Sequence, residues 1–230
     1  MVKPNIKRKI LKEVQEINEN SEHLGIYASM DPEEVDSLKV MIIGPEDSPY
    51  YGGFFLFRVK FPEQFPFVPP SVTFITPSRY PGCRVHPNLY QDGKVCLSIL
   101  NTWGEKEWSP ALTLEKIFIT IQGLLDNNPV TNEPGQERVK KDSVEGRSYY
   151  LIALYRTLTA GVINMFSHPE LPAPFLDVMR KFVQDKGKIY LEQVDLLKEK
   201  EGLILRCFHG QEIITYYQVK TDLVHLIQVV

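Results

Sequence analysis

Residues 54–61 read Phe-Phe-Leu-Phe-Arg-Val-Lys-Phe, with Phe55, Phe57, Val59 and Phe61 on one side and Arg58 and Lys60 on the other. This alternation marks a strand, because successive side chains of an extended backbone point to opposite faces. Gly52-Gly53 precede the run and Pro62 ends it. Upstream, Leu38, Val40 and Ile42 share a face over 38–43, and Ile26, Ala28 and Met30 alternate with Tyr27 and Ser29 over 24–30. Downstream, 72–76 makes a fourth short strand. Links such as Asp31-Pro32 and Gly52-Gly53 are far shorter than the roughly dozen residues of a parallel crossover, so an antiparallel meander is expected. Helices must then cover one of its faces.

Nine of the 17 prolines lie between Pro45 and Pro87. A proline inside a helix costs about 3 kcal/mol, so this region is strands and irregular loops, with helices on either side. The first helix is expected over 5–20, where Ile6, Ile10, Val14 and Ile17 form a stripe widened by Leu11. Lys3, Lys7, Arg8, Lys9 and Lys12 crowd its start and Glu13, Glu16 and Glu19 its end, an order that opposes the helix dipole. Either tertiary packing holds this helix or a partner uses its basic end; a solvated polar face is the plain alternative. Ile117, Phe118, Ile121, Leu124 and Leu125 place another helix over 112–125. Later helices are expected over 147–166, 175–185 and 188–200, the last two separated by Gly187. An extended segment follows at 203–208, and Val219, Leu223, Leu226, Ile227 and Val230 return to helical spacing. This tail is amphipathic throughout and is expected to pack rather than float.

The 230 residues are 43% hydrophobic and 24% charged, ordinary for a globular protein, which excludes wholesale disorder. A formal net charge of −3 offers no general pull on nucleic acid or anionic lipid. No apolar run is long enough to span a bilayer. The basic, amphipathic residues 1–13 lack the apolar core of a secretion signal. Cys83, Cys96 and Cys207 are too few for a disulfide scaffold and form no CxxC zinc pattern. The reducing cytosol, and with it the nucleus, is the expected compartment.

From Pro77 to Pro110 no periodicity is sustained, and long irregular segments are usually functional. Cys96 lies in it, ten residues after His86. The thiol reads as a buried small hydrophobe, as half of a Cys–His protease pair lacking an evident third member, or as part of a larger string. That string is His86-Pro87-Asn88, Gly93, Cys96 with Leu97 to Leu100, then Trp108-Ser109-Pro110-Ala111. Upstream stand Gly44-Pro45, Pro49-Tyr50-Tyr51-Gly52-Gly53, Phe61-Pro62 and Phe65-Pro66-Phe67-Val68-Pro69-Pro70. Together they resemble the ubiquitin-conjugating enzyme family over residues 6–166. Two departures, the long stretch from Cys96 to Trp108 and Asn132-Glu133-Pro134-Gly135 in place of an acidic-acidic-proline turn, look like the Z-type members and the domains of very large conjugating-ligase hybrids.

The resemblance implies an α+β fold: an N-terminal helix, a four-stranded antiparallel meander and C-terminal helices as a catalytic core at 1–166. A mostly helical extension at 167–230 would pack on that core or bind partners. It implies an acyltransferase in which Cys96 accepts ubiquitin, or a ubiquitin-like modifier, from an activating enzyme as a thioester and passes it to a substrate lysine, usually with a ligase. A silent ubiquitin- or ligase-binding domain of the same fold is the alternative. Asn88 would stabilise the tetrahedral oxyanion or pin the loop; His86 would buttress that loop. Ser98 stands two positions after the cysteine, where many members carry an acidic residue. Glu133 is the nearest match to the family's acidic gate, with Asp126, Asn127 and Asn128 behind it. Lys7, Arg8 and Lys12 match the activating-enzyme surface, Phe67 and Ser109, Pro110 and Ala111 the ligase loops, and Lys116 and Ile119 a contact with carried ubiquitin. The insertion 101–107, with Trp103, either biases partner choice or closes the loop. No metal or organic cofactor is implied, since ATP is used by the activating enzyme. The assignment needs the Cys96 sulfur to be accessible and near Asn88.

Overall fold

A computed structural model describes residues 3–32, 34, 36–76, 84–207 and 210–230. The whole segment 77–83, with Cys83, and the end of the expected strand at Phe208 lie outside the described residues. The chain divides into two compact units, the first comprising 1–43, 55–75 and 88–124 and the second 44–54, 76–87 and 125–230. The expected boundary at 166/167 falls inside the second.

The first unit opens with helix α1 (Pro4–Glu19), where Pro4 occupies the first turn and needs no amide donor. Its stripe of Ile10, Val14 and Ile17 is buried, and α1 packs on the first strand and on a later helix. No acidic residue sits in its first turn and no basic one in its last, so the dipole is uncompensated and burial of the stripe holds the helix. A single turn, α2 (Ser21–Leu24), ends on Gly25 in the left-handed region.

Strands β1 (Ile26–Met30), β2 (Ser37–Ile43), β3 (Phe54–Lys60) and β4 (Ser71–Phe74) form an antiparallel sheet in the order β1-β2-β3-β4. The register pairs Ala28 with Val40 and Val59 with Val72. The meander is as the sequence led us to expect, but β2 and β3 are buried on both faces for most of their length. On β3 the face bearing Arg58 and Lys60 begins with the fully buried Phe54 and Leu56, so polarity changes along the strand as well as across it. Helix α3 (Leu114–Leu124) buries Leu114, Ile117, Phe118 and Ile121. Its first amide, from Leu114, donates to the Glu13 carboxylate at 2.8 Å, which satisfies an otherwise orphaned helix N–H.

In the second unit, helix α4 (Val144–Arg156) starts where the Ser143 hydroxyl accepts the Gly146 N–H. The helix expected over 147–166 does not stay α-helical: a π-helical stretch occupies Thr157–Val162 and a 3-10 turn Ile163–Ser167. Helices α5 (Ala173–Lys186) and α6 (Lys188–Asp195) follow, then a hairpin of β5 (Ile204–Cys207) and β6 (Gly210–Ile213), and helix α7 (Tyr216–Val229). Leu154, Leu158 and Val162 share one buried cluster with Val183, Tyr190, Val194, Leu223 and Leu226. Residues 167–230 therefore complete a hydrophobic core that 154–162 begins. The Tyr190 hydroxyl donates to the Gly52 carbonyl at 2.8 Å and Gln193 donates to the Tyr51 carbonyl at 3.0 Å, tying α6 to the 44–54 turn of the same unit.

Candidate active site

The eight-residue spacing from Asn88 to Cys96 is the length of a small hairpin. Leu89 bridges Val95, the Tyr90 N–H donates to the Lys94 carbonyl at 2.9 Å, and Gly93 returns a bond to Tyr90 at 3.0 Å. Gly93 holds a φ of 89°, and a Cβ there would stand 2.6 Å from the Thr73 methyl and 3.0 Å from the Phe74 carbonyl, so only glycine fits. Its carbonyl accepts the Phe74 N–H at 2.8 Å, fastening the hairpin to β4, the edge strand.

At the mouth of this hairpin Asn88 and Cys96 face each other. The Cys96 N–H donates to the Asn88 carbonyl at 2.9 Å, and the Asn88 Nδ2 donates to the Cys96 carbonyl at 2.8 Å. An amide NH₂ carries two donors, and this contact occupies one of them. Cys96 itself is 2% exposed. The sequence reading required an accessible sulfur; in the free protein the residue is buried, although it is beside the asparagine as required.

After Cys96, Leu97 is extended and a 3-10 turn spans Ser98–Leu100, closed by Asn101 in the left-handed region. The Thr102 hydroxyl donates to the Val95 carbonyl at 2.6 Å and accepts the Leu97 N–H at 2.9 Å, locking the base of the insertion to both sides of the cysteine. Asn101 Oδ1 accepts the Trp108 N–H at 3.1 Å. The Ser98 hydroxyl donates to the Glu107 carboxylate at 2.6 Å. Trp103, at the tip, is half exposed.

Phe67 is 79% exposed, and Ser109, Pro110 and Ala111 are exposed as well. The Trp108 indole donates to the Pro66 carbonyl at 2.8 Å and its ring lies 6.1 Å from that of Phe65, joining the loop that carries Phe67 to the segment that carries Ser109-Pro110-Ala111. On α1, Lys7 pairs with Asp36 at 3.2 Å and Lys12 with Glu16 at 3.4 Å, while Arg8 is exposed. Lys116 and Ile119 lie exposed one turn apart on α3.

His86 and Glu133 belong to the second unit. His86 is fully buried, its ring 5.8 Å from that of Tyr50, whose hydroxyl donates to the Val85 carbonyl at 3.1 Å. Glu133 is 5% exposed and accepts the Tyr149 hydroxyl at 2.6 Å. Burial, then the Glu133 bond, holds the Tyr149 proton far above the ordinary phenol range. Burial does the same for Tyr50, with help from Asp126. The Asp126 carboxylate is engaged by the Asn128 N–H at 2.7 Å and by Asn132 at 3.2 Å; Asn127 is exposed. Tyr149, Thr102 and Glu107 had no signal in the sequence, because each acts through a partner distant in number. Among the described residues no group of three His, Cys, Asp or Glu is placed to hold a metal ion.

A cysteine and an asparagine are thus paired across a hairpin fastened to the edge strand of a four-stranded meander. Residues 9–158 match the family model for ubiquitin-conjugating enzyme, and the chain belongs to that family. It is 38% identical over 167 residues to ubiquitin-conjugating enzyme E2 Z of Xenopus tropicalis, covering 72% of this chain and 53% of that one. Against the Homo sapiens E2 Z the identity is 39% over 160 residues, 68% of this chain and 44% of that protein. A dual ubiquitin-conjugating enzyme/ubiquitin-protein ligase, BIRC6 of Homo sapiens, is 43% identical over 187 residues, 78% of this chain and 4% of that protein. Among solved structures, the ubiquitin-conjugating enzyme domain TgTwinScan_2721 of Toxoplasma gondii superposes with a TM-score of 0.51 at 30% identity, covering 67% of this chain and 98% of that one. The chain thus spans about half the length of the E2 Z proteins it matches.

Proposed function

We propose that this protein carries ubiquitin, or a ubiquitin-like modifier, as a thioester on Cys96 and transfers it to a substrate lysine. The observation that carries this reading is the reciprocal pairing of Asn88 and Cys96. In loading, the Cys96 sulfur attacks the modifier's C-terminal carbonyl, held as a thioester on an activating enzyme. A new C–S bond forms, the old one breaks, and the Cys96 proton leaves with the departing thiolate. Exchange between thiols is near balanced, so the acyl group stays reactive.

In transfer, a deprotonated lysine amine attacks the same carbonyl. The oxyanion that develops is stabilised by an amide N–H of Asn88, whose side chain is already held against the Cys96 backbone. The attack forms the C–N bond, collapse breaks the C–S bond and releases the Cys96 thiolate, and the proton shed by the amine goes to solvent. The activating enzyme docks on the basic end of α1 around Arg8, with Lys7 and Lys12 exchanging their internal partners for it. A ligase contacts the surface of Phe67 and Ser109-Pro110-Ala111, and Lys116 and Ile119 meet the carried modifier. Incubation with activating enzyme, ATP and ubiquitin tests the reading: an adduct that a thiol reductant cleaves, absent from Cys96→Ala, supports it. Failure to charge with ubiquitin or any ubiquitin-like modifier removes it.

A further inference from the structure

Transfer requires a lysine ammonium to reach Cys96 before it loses its proton, so the charges around the cysteine loop decide how it arrives. The residue two positions after Cys96 is Ser98, which is uncharged. The insertion 101–107 nevertheless brings a carboxylate back to that place. Ser98 donates its hydroxyl to Glu107 at 2.6 Å, and the Glu107 N–H reaches the Ser98 carbonyl at 3.3 Å. Thr102 and Asn101 fix the two ends of the insertion to residues 95–97 and to Trp108. Glu107 is exposed. Among the described residues no cation pairs with it, whereas three other carboxylates of the same unit are engaged: Glu13 caps α3, Glu34 pairs with Lys60 and Asp92 closes the Gly93 turn. Lys106 and Glu105, also exposed on the insertion, cancel in charge.

Resting on the acyl-carrier reading, we infer that Glu107, held by Ser98, is the carboxylate that binds the incoming lysine ammonium. Ser98 follows Cys96 by two residues, which span at most about 7 Å of backbone, so the carboxylate bonded to Ser98 is held on the cysteine's own loop. Its action is on binding and not on deprotonation. A neighbouring carboxylate favours the charged form of an amine, so it raises the lysine's pKa while lowering its KM. The contribution is that of an exposed ion pair, about two- to fivefold in KM, and it is screened by salt.

The test uses the full chain charged with ubiquitin and chased with free lysine or with hydroxylamine, a nucleophile uncharged at neutral pH. Glu107→Gln is expected to raise the KM for lysine about two- to fivefold, leave kcat equal or slightly higher, and leave the hydroxylamine rate unchanged. Ser98→Asp combined with Glu107→Gln is expected to restore the lysine KM, because the carboxylate returns to the same place. Equal losses with both nucleophiles, or no change in lysine KM, would overturn the assignment of Glu107. Absence of charging in the unaltered protein would instead strike the acyl-carrier reading, so the two failures are distinguishable.

Discussion

Asn88 and Cys96 are the last rung of a hairpin, joined by a backbone bond at 2.9 Å and by the Asn88 side chain on the Cys96 carbonyl at 2.8 Å. One side chain therefore positions the cysteine loop and, on the proposed reading, also supplies the donor for the charge that develops in transfer. Removing it separates the two roles. Asn88→Ala is expected to slow discharge to lysine by roughly 10²–10³, the cost of deleting an oxyanion donor, and to slow loading much less. Single-turnover loading and discharge, measured separately, check this; equal losses in both steps would leave only the loop-pinning role.

Burial of Cys96 sets its chemistry in the resting protein. With 2% of the residue exposed, alkylation must wait for local opening. Cys207, half-buried on β5, is expected to react with iodoacetamide before Cys96 under native conditions, with Cys96 following slowly. Peptide mapping of a labelling time course reads the order. Faster labelling of Cys96 would mean that the open loop dominates in solution.

Glu133 and Tyr149 are held together inside the second unit, which changes what a substitution there reports. Tyr149→Phe is expected to cost about 1–3 kcal/mol of stability by taking a donor from a buried carboxylate. Glu133→Ala should cost a similar amount, so any loss of lysine discharge must be compared with the loss of folded protein. Both Tyr149 and Tyr50 hold their protons above the ordinary phenol range. The unfolded chain, with phenols near about 10, binds fewer protons than the folded one above that pH. Stability from these groups is then full below about pH 10 and declines as pH rises beyond it through the folded values. Urea denaturation against pH, with phenolate absorbance followed alongside, measures both effects.

Arg156 and Glu212 form a buried ion pair, 2% and 8% exposed at their side chains, between α4 and β6. Breaking such a pair is expensive because it strands a charge. Glu212→Ala is expected to destabilise the second unit by about 3–5 kcal/mol, and Arg156→Met with Glu212→Leu to recover most of it. Truncation at His168 removes Glu212 together with Val183, Tyr190 and Leu223, and is expected to abolish cooperative unfolding of residues 125–167 by circular dichroism.

The sheet was legible because it rests on local rules, period-two alternation and turn glycines, and Asn88 and Cys96 stood out within a string of fixed spacing; the hairpin that joins them lies in a segment whose aperiodic sequence reads as irregular. What was not legible depends on partners far apart in number. The extended segment expected at 203–208 corresponds to β5 alone, and β6 had no signal because Gln211 and Glu212 make it polar; Glu212 is buried against Arg156. The helix over 147–166 changes to a π-helical stretch at Thr157, within the cluster shared with α5, α6 and α7, and no propensity marks that change. The tail's amphipathic stripes predict that it packs but do not name its partner; Tyr190 and Gln193 bond to the 51–52 turn. Glu107 lay within a stretch whose length alone was visible.

The most direct measurement is the intact mass of the protein after reaction with activating enzyme, ATP and ubiquitin, before and after addition of lysine. The account expects one added ubiquitin on the unaltered chain, lost to lysine or to a thiol reductant. Cys96→Ser should give at most a reductant-resistant ester, and Cys96→Ala no adduct. Ubiquitin found on Cys96→Ala, or an unaltered chain that takes up neither ubiquitin nor a ubiquitin-like modifier offered with its own activating enzyme, would contradict it.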